Sequence, residues 1–380
     1  GQDSGIAEAG GRLLAAALNG QPADRLLASC EQLTAAVPAT VIGFAETATG
    51  LGQGVADTLR ARYLHSTRRP AAGPAIEFVE EHSHAAGHLL QPADPDLLGT
   101  DVPLVLVDDE LSTGRTALNL IRALHPRRPS RRRYLIAALV DLRGAADRAR
   151  TTALAAELGV RIEVVALATG RLRCAPDVLA RGAALAATAQ GVPEQACSAS
   201  AISTLDWPAG VAATGRHGFD PAQRGPLERA AGTLAEQLAP RVGGRVLVLG
   251  CEELMYAPLR IGTALAALTG PGVVRFSATT RSPVVTVDQA GYPIRTRLQF
   301  PAHDGPADAP RYAYNVHPGA DPDRRFSDIV LVVDGPADTV ALRRPGGLLA
   351  QLTTATDRLW LIRVPAEVPA EVPAAVPHAV

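Results

Sequence analysis

The sequence predicts an α/β protein with two domains, each a mostly parallel sheet flanked by helices. Apolar segments of strand length alternate with segments of helix length in both halves of the chain, as in parallel sheets covered by helices. Only 4% of the residues are aromatic while 47% are hydrophobic, so small aliphatic side chains must fill the core. The length of 380 residues suits two domains better than one.

The first domain is expected over residues 1–195. It begins with two amphipathic helices within residues 5–36, a strand at Ala39–Phe44 and a helix near Gly54–Tyr63, which the segment His65–Pro70 terminates. Residues 71–100 are expected to be loop or a short hairpin. The elements that follow are a strand at Val102–Val107, a helix at Thr116–Leu124, a strand at Tyr134–Val140, a helix at Ala145–Leu158 and a strand at Val160–Leu167.

The second domain is expected over residues 205–364, after a boundary in residues 190–210, which contain Gly, Pro and Ser and lack periodicity. Its elements are a helix at Pro226–Leu238, a strand at Arg245–Leu249, a helix at Pro258–Leu268, a strand at Val273–Ser277, a sheet-like segment at Val284–Phe300 and a strand at Asp328–Val333. Residues 365–380 repeat VPAE and form a low-complexity tail outside the core.

Composition excludes several classes of function. Lys and Arg number 37 against 38 Asp and Glu, which argues against a general nucleic-acid binder. The four cysteines are scattered and form no CxxC, so they indicate a reducing cytoplasm and no metal site. Neither a signal peptide nor an apolar run long enough to span a bilayer is found. The chain begins at Gly1 without Met, so the sequence leaves open whether native residues precede Gly1.

The segment Leu104–Thr116, LVLVDDELSTGRT, has the pattern of a ribose-phosphate site. Two carboxylates are costly inside a buried strand, so Asp108 and Asp109 are expected at its carboxyl end, where α/β sheets bind ligands. The hydroxyls and backbone N–H groups of Ser112–Thr116 meet near a helix N-terminus and attract phosphate, and Gly114 lets the backbone approach it. An ordinary capping turn would explain one Ser or Thr but not the acidic pair.

This segment resembles the signature of type I phosphoribosyltransferases, enzymes that use phosphoribosyl pyrophosphate (PRPP). The resemblance implies that Asp108 and Asp109 bind the ribose hydroxyls and that Mg²⁺ takes part, with the same two carboxylates as candidate ligands. It implies 5-phosphate binding by Ser112, Thr113, Gly114, Arg115 and Thr116. It also implies a pyrophosphate loop after the first core strand, here Gly43–Gly50 with Thr47 and Ala48. Glu46 departs from that loop's usual pattern and could act through Mg²⁺ or on a substrate amine.

Three other segments leave alternatives open. Arg68 and Arg69, in STRRP, could neutralise departing pyrophosphate or form a solvated helix end. The segment EEHSHAAGH, with Glu81, His82 and His84, fits a loop that closes over PRPP, a divalent metal site or an exposed hairpin. The basic run Arg127–Arg133 is expected to be a solvated connection. A dinucleotide fold at Gly50–Gly54 is rejected, because Val55 and Asp57 stand where GxGxxG needs glycine.

The second half repeats landmarks of the first in the same order. Glu253 follows a strand as Glu46 does, TTRSP (279–283) parallels STRRP (66–70), and the strand ending at Asp334 parallels the strand ending at Asp108. The spacing between paired landmarks grows steadily, which favours an ancient duplication over chance similarity. The second copy lacks the acidic pair and the glycine of the turn, and Pro336 removes an N–H donor. The sequence therefore predicts one PRPP site rather than two.

The motifs GFAETATGLG, STRRP, EEHSHA, VDDELSTGRT, CEELMY and TTRSP together resemble a bacterial two-domain family found with tellurium-resistance-type gene clusters. In that family a phosphoribosyltransferase-like domain precedes a domain named TRSP after its Thr-Arg-Ser-Pro motif, here Thr280–Pro283. The resemblance implies a PRPP-dependent transferase that makes a ribosylated small metabolite. Arg281 and Ser282 of the motif, with Glu253, are candidate ligand-binding residues of the second domain. A hydrolase or lyase of ribose phosphates, a non-catalytic PRPP-binding regulator, and a homodimer stay open.

Overall fold

The computed structural model describes residues 2–3, 38–79, 87–188, 202–304 and 309–366. These residues form two sheets, one of five strands and one of six, and each has a separate two-stranded hairpin beside it. All five strands of the first sheet run parallel, and the second differs only in one antiparallel edge strand. The predicted α/β class is therefore confirmed. The helices expected within residues 5–36 and nearly all of the tail lie outside the described residues.

The first half is built around the five-stranded sheet. The chain opens with β1 (Gln2–Asp3), which joins the other sheet. The elements that follow are β2 (Thr40–Gly43), α1 (Ala48–Leu59), β3 (Arg62–His65), the hairpin β4 (Ile76–Val79) and β5 (Gly87–Leu90), β6 (Leu104–Leu111), α2 (Arg115–Leu124), β7 (Arg133–Asp141), α3 (Ala145–Leu158), β8 (Arg161–Thr169) and α4 (Val178–Thr188).

The second half is built around the six-stranded sheet. Its elements are β9 (Ile202–Asp206), α5 (Arg224–Leu238), β10 (Val246–Gly250), α6 (Tyr256–Thr269), β11 (Val274–Ala278), the hairpin β12 (Arg297–Pro301) and β13 (Pro310–Tyr314), β14 (Phe326–Asp334), α7 (Val340–Arg343), α8 (Leu348–Ala355) and β15 (Thr356–Val364).

The two sheets share the order of four strands and differ in the fifth. The first runs β3-β2-β6-β7-β8, and the second runs β11-β10-β14-β15-β9 with β1 on the β11 edge. The edge strand next to β15 is β9, which precedes β10 in the chain, whereas the edge strand next to β7 is β8, the last strand of the first half. Apart from these edge strands, the first core strand of each half (β2 and β10) lies between the second and the third, and a hairpin separates the second from the third along the chain. The four matching strands agree with the predicted duplication, which stays a prediction, and β9 departs from it.

Several expected elements differ from the structure. The helix placed at Gly54–Tyr63 begins at Ala48 and ends at Leu59, and Arg62–His65 is a strand. Gly52 sits in that helix because a Cβ there would lie 2.9 Å from the Cα of Gly43, so glycine here allows close packing on β2. The irregular region 190–210 contains β9, which pairs with β15. Of Val284–Phe300, only the end belongs to a strand, β12.

The basic run 127–133 is only partly solvated. Arg131 is 1% exposed, and its guanidinium donates hydrogen bonds to the carbonyl oxygens of Leu98 and Val102 at 2.7 and 3.1 Å. A buried arginine needs such acceptors, so this residue fixes the loop before β6. The prediction of a solvated connection is wrong for Arg131.

One apolar core joins the halves. It contains Val41 and Val105 of the first sheet, Val248 and Val330 of the second, and side chains of α1, α5 and α6 between them. The helices α1 and α6 pack against each other, and the Tyr256 hydroxyl hydrogen-bonds the Asp57 carboxylate across this contact. The halves therefore hold a fixed relation. Among the described residues no helix is both long and apolar enough to cross a bilayer.

Candidate active site

A cavity of about 260 Å³ lies at the carboxyl ends of β2 and β6. These strands are parallel neighbours, so the segments that follow them reach the same edge of the sheet. The lining residues are Phe44, Ala45, Glu46, Thr47, Arg68, His88, Asp108, Asp109, Glu110, Leu111, Ser112, Thr113, Gly114, Arg115, Thr116, Thr280, Arg281 and Ser282. The cavity thus combines the two predicted loops of the first half with the TRSP motif of the second.

The acidic pair follows the buried part of β6. Val107 is fully buried, whereas Asp108 and Asp109 are half-buried and line the cavity. The strand continues past them to Leu111 beside β7, so it is longer than its apolar run. The Asp109 carboxylate accepts a hydrogen bond from the Thr47 hydroxyl at 3.0 Å. The second carboxylate of the pair therefore touches the loop after β2.

The turn at Ser112–Thr116 is built around Gly114. Its φ of 72° is left-handed, and α2 begins at the next residue. A Cβ on Gly114 would lie 3.0 Å from Cδ of Arg143, a buried side chain paired with Asp141 through Nε at 2.9 Å. Glycine therefore lets the turn lie on a fixed arginine, while the N-terminus of α2 and nearby hydroxyls face the cavity edge as an anion site would require.

The loop after β2 is held by a hydrogen bond that it donates to Ser66, the residue that follows β3. The backbone N–H of Ala45 donates to the Ser66 hydroxyl at 2.9 Å, and the peptide bond between Ala45 and Glu46 is cis. The Ser66 hydroxyl also lies 3.0 Å from Nδ1 of His88. Hydrogen bonds through Ser66 thus connect the loop after β2 with His88 of β5, and both line the cavity.

Glu46 is a buried carboxylate at the boundary between the halves. Its Oε2 accepts hydrogen bonds from the Thr280 hydroxyl and the Arg281 backbone N–H, both at 3.2 Å, and its Oε1 lies 2.9 Å from Nε of Arg281. Burial, reinforced by the negative charge of Glu252, raises the pKa of Glu46 to about 7, and Arg281 opposes that rise. This carboxyl can therefore gain or lose a proton near neutral pH.

The two arginines of STRRP point in different directions. A terminal nitrogen of Arg68 lies 3.2 Å from Nε2 of His88 at the cavity wall. Arg69 is not a lining residue, because its guanidinium is buried against Asp334 at 2.9 Å and also pairs with Asp304. Successive side chains of an extended segment face opposite sides. Substrate binding by Arg69, expected from the sequence, does not fit this placement.

Two other predicted residues also lie off the cavity. Ala48 begins α1 beneath the loop. Glu253 accepts hydrogen bonds from the Thr67 hydroxyl and the Arg68 backbone N–H, both at 2.7 Å. Burial alone would raise the pKa of Glu253, but Arg216 and Arg69 hold it at about 2. This carboxylate is therefore a fixed charge that ties the halves together.

The remaining candidates can be placed only in part. Glu81, His82 and His84 lie outside the described residues. Within the described part of the chain no three acidic, His or Cys side chains gather in a metal-binding group. The sequence did not single out Thr280 or Glu110 for this site, although Thr280 begins the TRSP motif and Glu110 follows the acidic pair.

A family model matches each half of the chain. Residues 4–171 match the family model described as phosphoribosyl transferase, and residues 213–352 match the TRSP domain that lies C-terminal to it. No curated protein matches the chain significantly. This domain arrangement is the one predicted from the sequence.

Several solved adenine phosphoribosyltransferases resemble about two fifths of the chain. That of Rhodothermus marinus is 19% identical, with 40% of this chain and 82% of that chain covered and a TM-score of 0.24. That of Giardia lamblia, complexed with 9-deazaadenine, is 19% identical over 40% and 78%, with a TM-score of 0.25. That of Trypanosoma brucei, with AMP, pyrophosphate and ribose 5-phosphate, is 13% identical over 40% and 72%, with a TM-score of 0.27.

Proposed function

We propose that this protein, a phosphoribosyl transferase domain followed by a TRSP domain, moves a 5-phosphoribosyl group from PRPP to a small-molecule acceptor. One observation supports this most strongly: the acidic pair, the turn at Ser112–Thr116 and the loop after β2 line a single cavity. Each suits one part of PRPP, and a capping turn or a solvated helix end would not bring all three together.

The ribose end of PRPP would lie against β6. Asp108 and Asp109 would accept hydrogen bonds from the vicinal hydroxyls, and their charge would favour the positive, oxocarbenium-like ribose of the transition state. The turn at Ser112–Thr116 would bind the 5-phosphate through hydroxyls and backbone N–H groups. Thr47 would link the ribose and pyrophosphate positions, since its hydroxyl already contacts Asp109.

The reaction would break the bond between ribose C1 and the pyrophosphate oxygen and form a bond from C1 to the acceptor. Pyrophosphate leaves with the electron pair of the broken bond, and the acceptor loses a proton when its nucleophilic atom is N–H or O–H. Glu46 would take that proton, a role supported by its position in the cavity lining and by its pKa of about 7. The nucleophile is a nitrogen, oxygen or carbon centre of an unidentified small molecule.

The acidic pair suits a magnesium ion that arrives with substrate. Mg²⁺ in such sites is held by one or two carboxylates together with substrate oxygens and water, and the cavity offers Asp108 and Asp109 for that purpose. When bound, the ion would neutralise charge on the pyrophosphate. A cytoplasmic location and a homodimer stay predictions from the sequence.

Two other functions use the same cavity. If water took the place of the acceptor, the protein would be a hydrolase. A lyase that acts on a ribose phosphate is the related alternative. A non-catalytic regulator would bind PRPP without turnover. We favour a reaction over regulation because Glu46, a carboxyl with a pKa raised to about 7, lines the cavity in which an acceptor would lose its proton.

Calorimetry with PRPP and Mg²⁺, followed by a pyrophosphate-release assay, tests the proposal. We expect PRPP binding and release of pyrophosphate only when an acceptor is supplied, with nucleobases, amines and carbon nucleophiles as the panel. Release without any acceptor would indicate the hydrolase. Tight binding with no release for any acceptor would indicate the regulator, and absence of PRPP binding would contradict all three.

A further inference from the structure

The halves contact each other through reciprocal hydrogen bonds. In one direction Glu46 accepts from the Thr280 hydroxyl and the Arg281 backbone N–H, both at 3.2 Å. In the other, Glu253 accepts from the Thr67 hydroxyl and the backbone N–H of Arg68, both at 2.7 Å. A carboxylate after the first core strand of each half therefore binds the segment after the second core strand of the other half.

The same correspondence holds within each half. The Ser66 hydroxyl accepts from the N–H of Ala45, as the Thr279 hydroxyl accepts from the N–H of Glu252. Thr67 and Thr280 each form an isolated antiparallel bridge to a hairpin strand, β5 in the first half and β13 in the second. The halves are thus arranged like the two subunits of a symmetric dimer fused in one chain.

This symmetry makes Arg281 the counterpart of Arg68, yet both side chains line the same cavity. Arg281 makes its ion pairs with Glu46 and Glu252 through Nε, at 2.9 and 2.8 Å. Among the described residues no hydrogen bond occupies its two terminal amino groups, and the side chain is 18% exposed. The Arg281 guanidinium is therefore held through Nε, while its two terminal amino groups are available to an anion.

The charge around the cavity explains why a cation is needed there. Glu46 stands in the loop after β2, and Glu252 lies behind it against Arg281. A multiply charged anion beside these carboxylates would be repelled by their negative charge. Arginine offsets that repulsion and presents a planar fork that suits phosphate oxygens.

We propose that the second half acts as a built-in partner subunit and supplies the Arg281 guanidinium as a ligand for the pyrophosphate group of PRPP in the first half's cavity. This inference rests on the proposed function and adds to it a role for the TRSP motif. Arg281 binds the leaving group opposite Arg68, while Thr280 holds Glu46 in place. The second half is therefore part of the active site.

Calorimetry on the full chain with Mg²⁺ tests this role by comparing inorganic pyrophosphate with ribose 5-phosphate. We expect Arg281→Gln to weaken pyrophosphate and PRPP binding about tenfold or more and to leave ribose 5-phosphate affinity within about twofold, since Arg281 contacts only the pyrophosphate end. Arg343→Gln, which removes an exposed arginine of the second half, should change neither affinity.

Unchanged pyrophosphate affinity in Arg281→Gln would overturn the inference, and so would an equal loss for both ligands, which would indicate a structural role. If Arg281→Gln does not fold, Arg281→Lys decides, because it keeps the charge that Glu46 and Glu252 require. It should weaken pyrophosphate binding selectively, and wild-type affinity for pyrophosphate would overturn the inference. Failure of the wild-type protein to bind PRPP would instead overturn the proposed function, and this role with it.

Discussion

Each half has an aspartate after the buried run of the corresponding strand, β6 in the first sheet and β14 in the second, but the two aspartates have different surroundings. Asp108 ends the buried part of β6 and lines an open cavity. Asp334 ends β14 and is buried in the interface, where its carboxylate binds Arg69 at 2.9 Å and Arg216 at 2.8 Å. The corresponding strand therefore lines a cavity in the first half and forms a contact surface in the second.

The residues that follow each aspartate explain the difference. After Asp108 come a second carboxylate, hydroxyls and Gly114, and then a helix of ten residues. After Asp334 the chain continues with Gly335 and Pro336 into a short 3₁₀ turn, without a second acid. Burial would raise the pKa of Asp334, but Arg69 and Arg216 hold it below its usual range. Its oxygens are committed to protein cations and cannot serve a ribose.

The largest expected effect comes from removing the acidic pair. Asp108→Asn with Asp109→Asn should weaken PRPP binding about 100-fold or more, because each carboxylate loses charge-assisted hydrogen bonds worth about 1.5–3 kcal/mol. Calorimetry measures the affinity, and the thermal midpoint should stay close to that of the wild type. PRPP affinity within threefold of wild type would contradict the assignment of these residues to ribose.

Asp334→Ala should destabilise the protein without removing the PRPP site. It leaves Arg69 and Arg216 buried without a main partner, at a cost of about 3–5 kcal/mol in the free energy of unfolding. Asp206→Ala removes an exposed ion pair with Arg363 and should cost less than about 1 kcal/mol. Urea denaturation compares the two variants, and equal losses would show that Asp334 does not hold the interface.

The counterpart carboxyls Glu46 and Glu253 should change stability with pH in opposite directions. The pKa of Glu46 in the folded protein is raised from 4.5 to about 7, so its stabilising contribution is full below pH 4.5 and is lost as the pH rises through 7. The pKa of Glu253 is lowered from 4.5 to about 2, so its contribution is present above pH 4.5 and is lost as the pH falls through 2.

Variants of these two residues separate the effects. From pH 5 to pH 8 the free energy of unfolding of the wild type should fall by about 2–3 kcal/mol through Glu46, and Glu46→Gln should abolish this fall. From pH 4.5 down to pH 2 it should fall by a comparable amount through Glu253, and Glu253→Gln should abolish that fall. Urea denaturation at each pH measures both. A Glu46→Gln protein that keeps the wild-type pH dependence above pH 5 would contradict the raised pKa.

A smaller effect is expected from Gly114→Ala. The left-handed backbone costs about 1–2 kcal/mol for alanine, and the added methyl group presses on Arg143, so ribose 5-phosphate should bind about tenfold more weakly. Gly159 has a similar φ of 64°, but nothing lies within 4 Å of a Cβ there. Gly159→Ala should lose similar stability and keep ribose 5-phosphate affinity, and equal binding losses in both variants would contradict the role of the turn.

Much of the framework follows from local sequence. Apolar runs gave the positions of β6, β7 and β10, and α3 occupies the predicted Ala145–Leu158. Adjacent hydroxyls, carboxylates and a glycine also predicted the residues that line the cavity from β6 to α2, because neighbours in sequence are neighbours in that turn. The α1 helix was placed too late because its glycines suggest a turn, whereas in the fold they permit packing on β2.

The contacts between the two halves could not be predicted from local sequence. Arg68 and Arg69 are adjacent and chemically identical, and only the fold directs one to the cavity and the other to Asp334. The contacts of Glu46 with Thr280 and Arg281 join residues separated by more than half of the chain. A motif shows which residues can act, but such long-range pairing depends on how the two sheets pack.

The number of PRPP molecules bound per chain tests the central claim most directly, that one half keeps the site and the other has become its partner. Calorimetry with Mg²⁺ should give one PRPP per chain, and this binding should disappear in Asp108→Asn with Asp109→Asn and persist in a folded Asp334→Asn variant. Two PRPP molecules per chain, or one that survives loss of the acidic pair, would contradict the account.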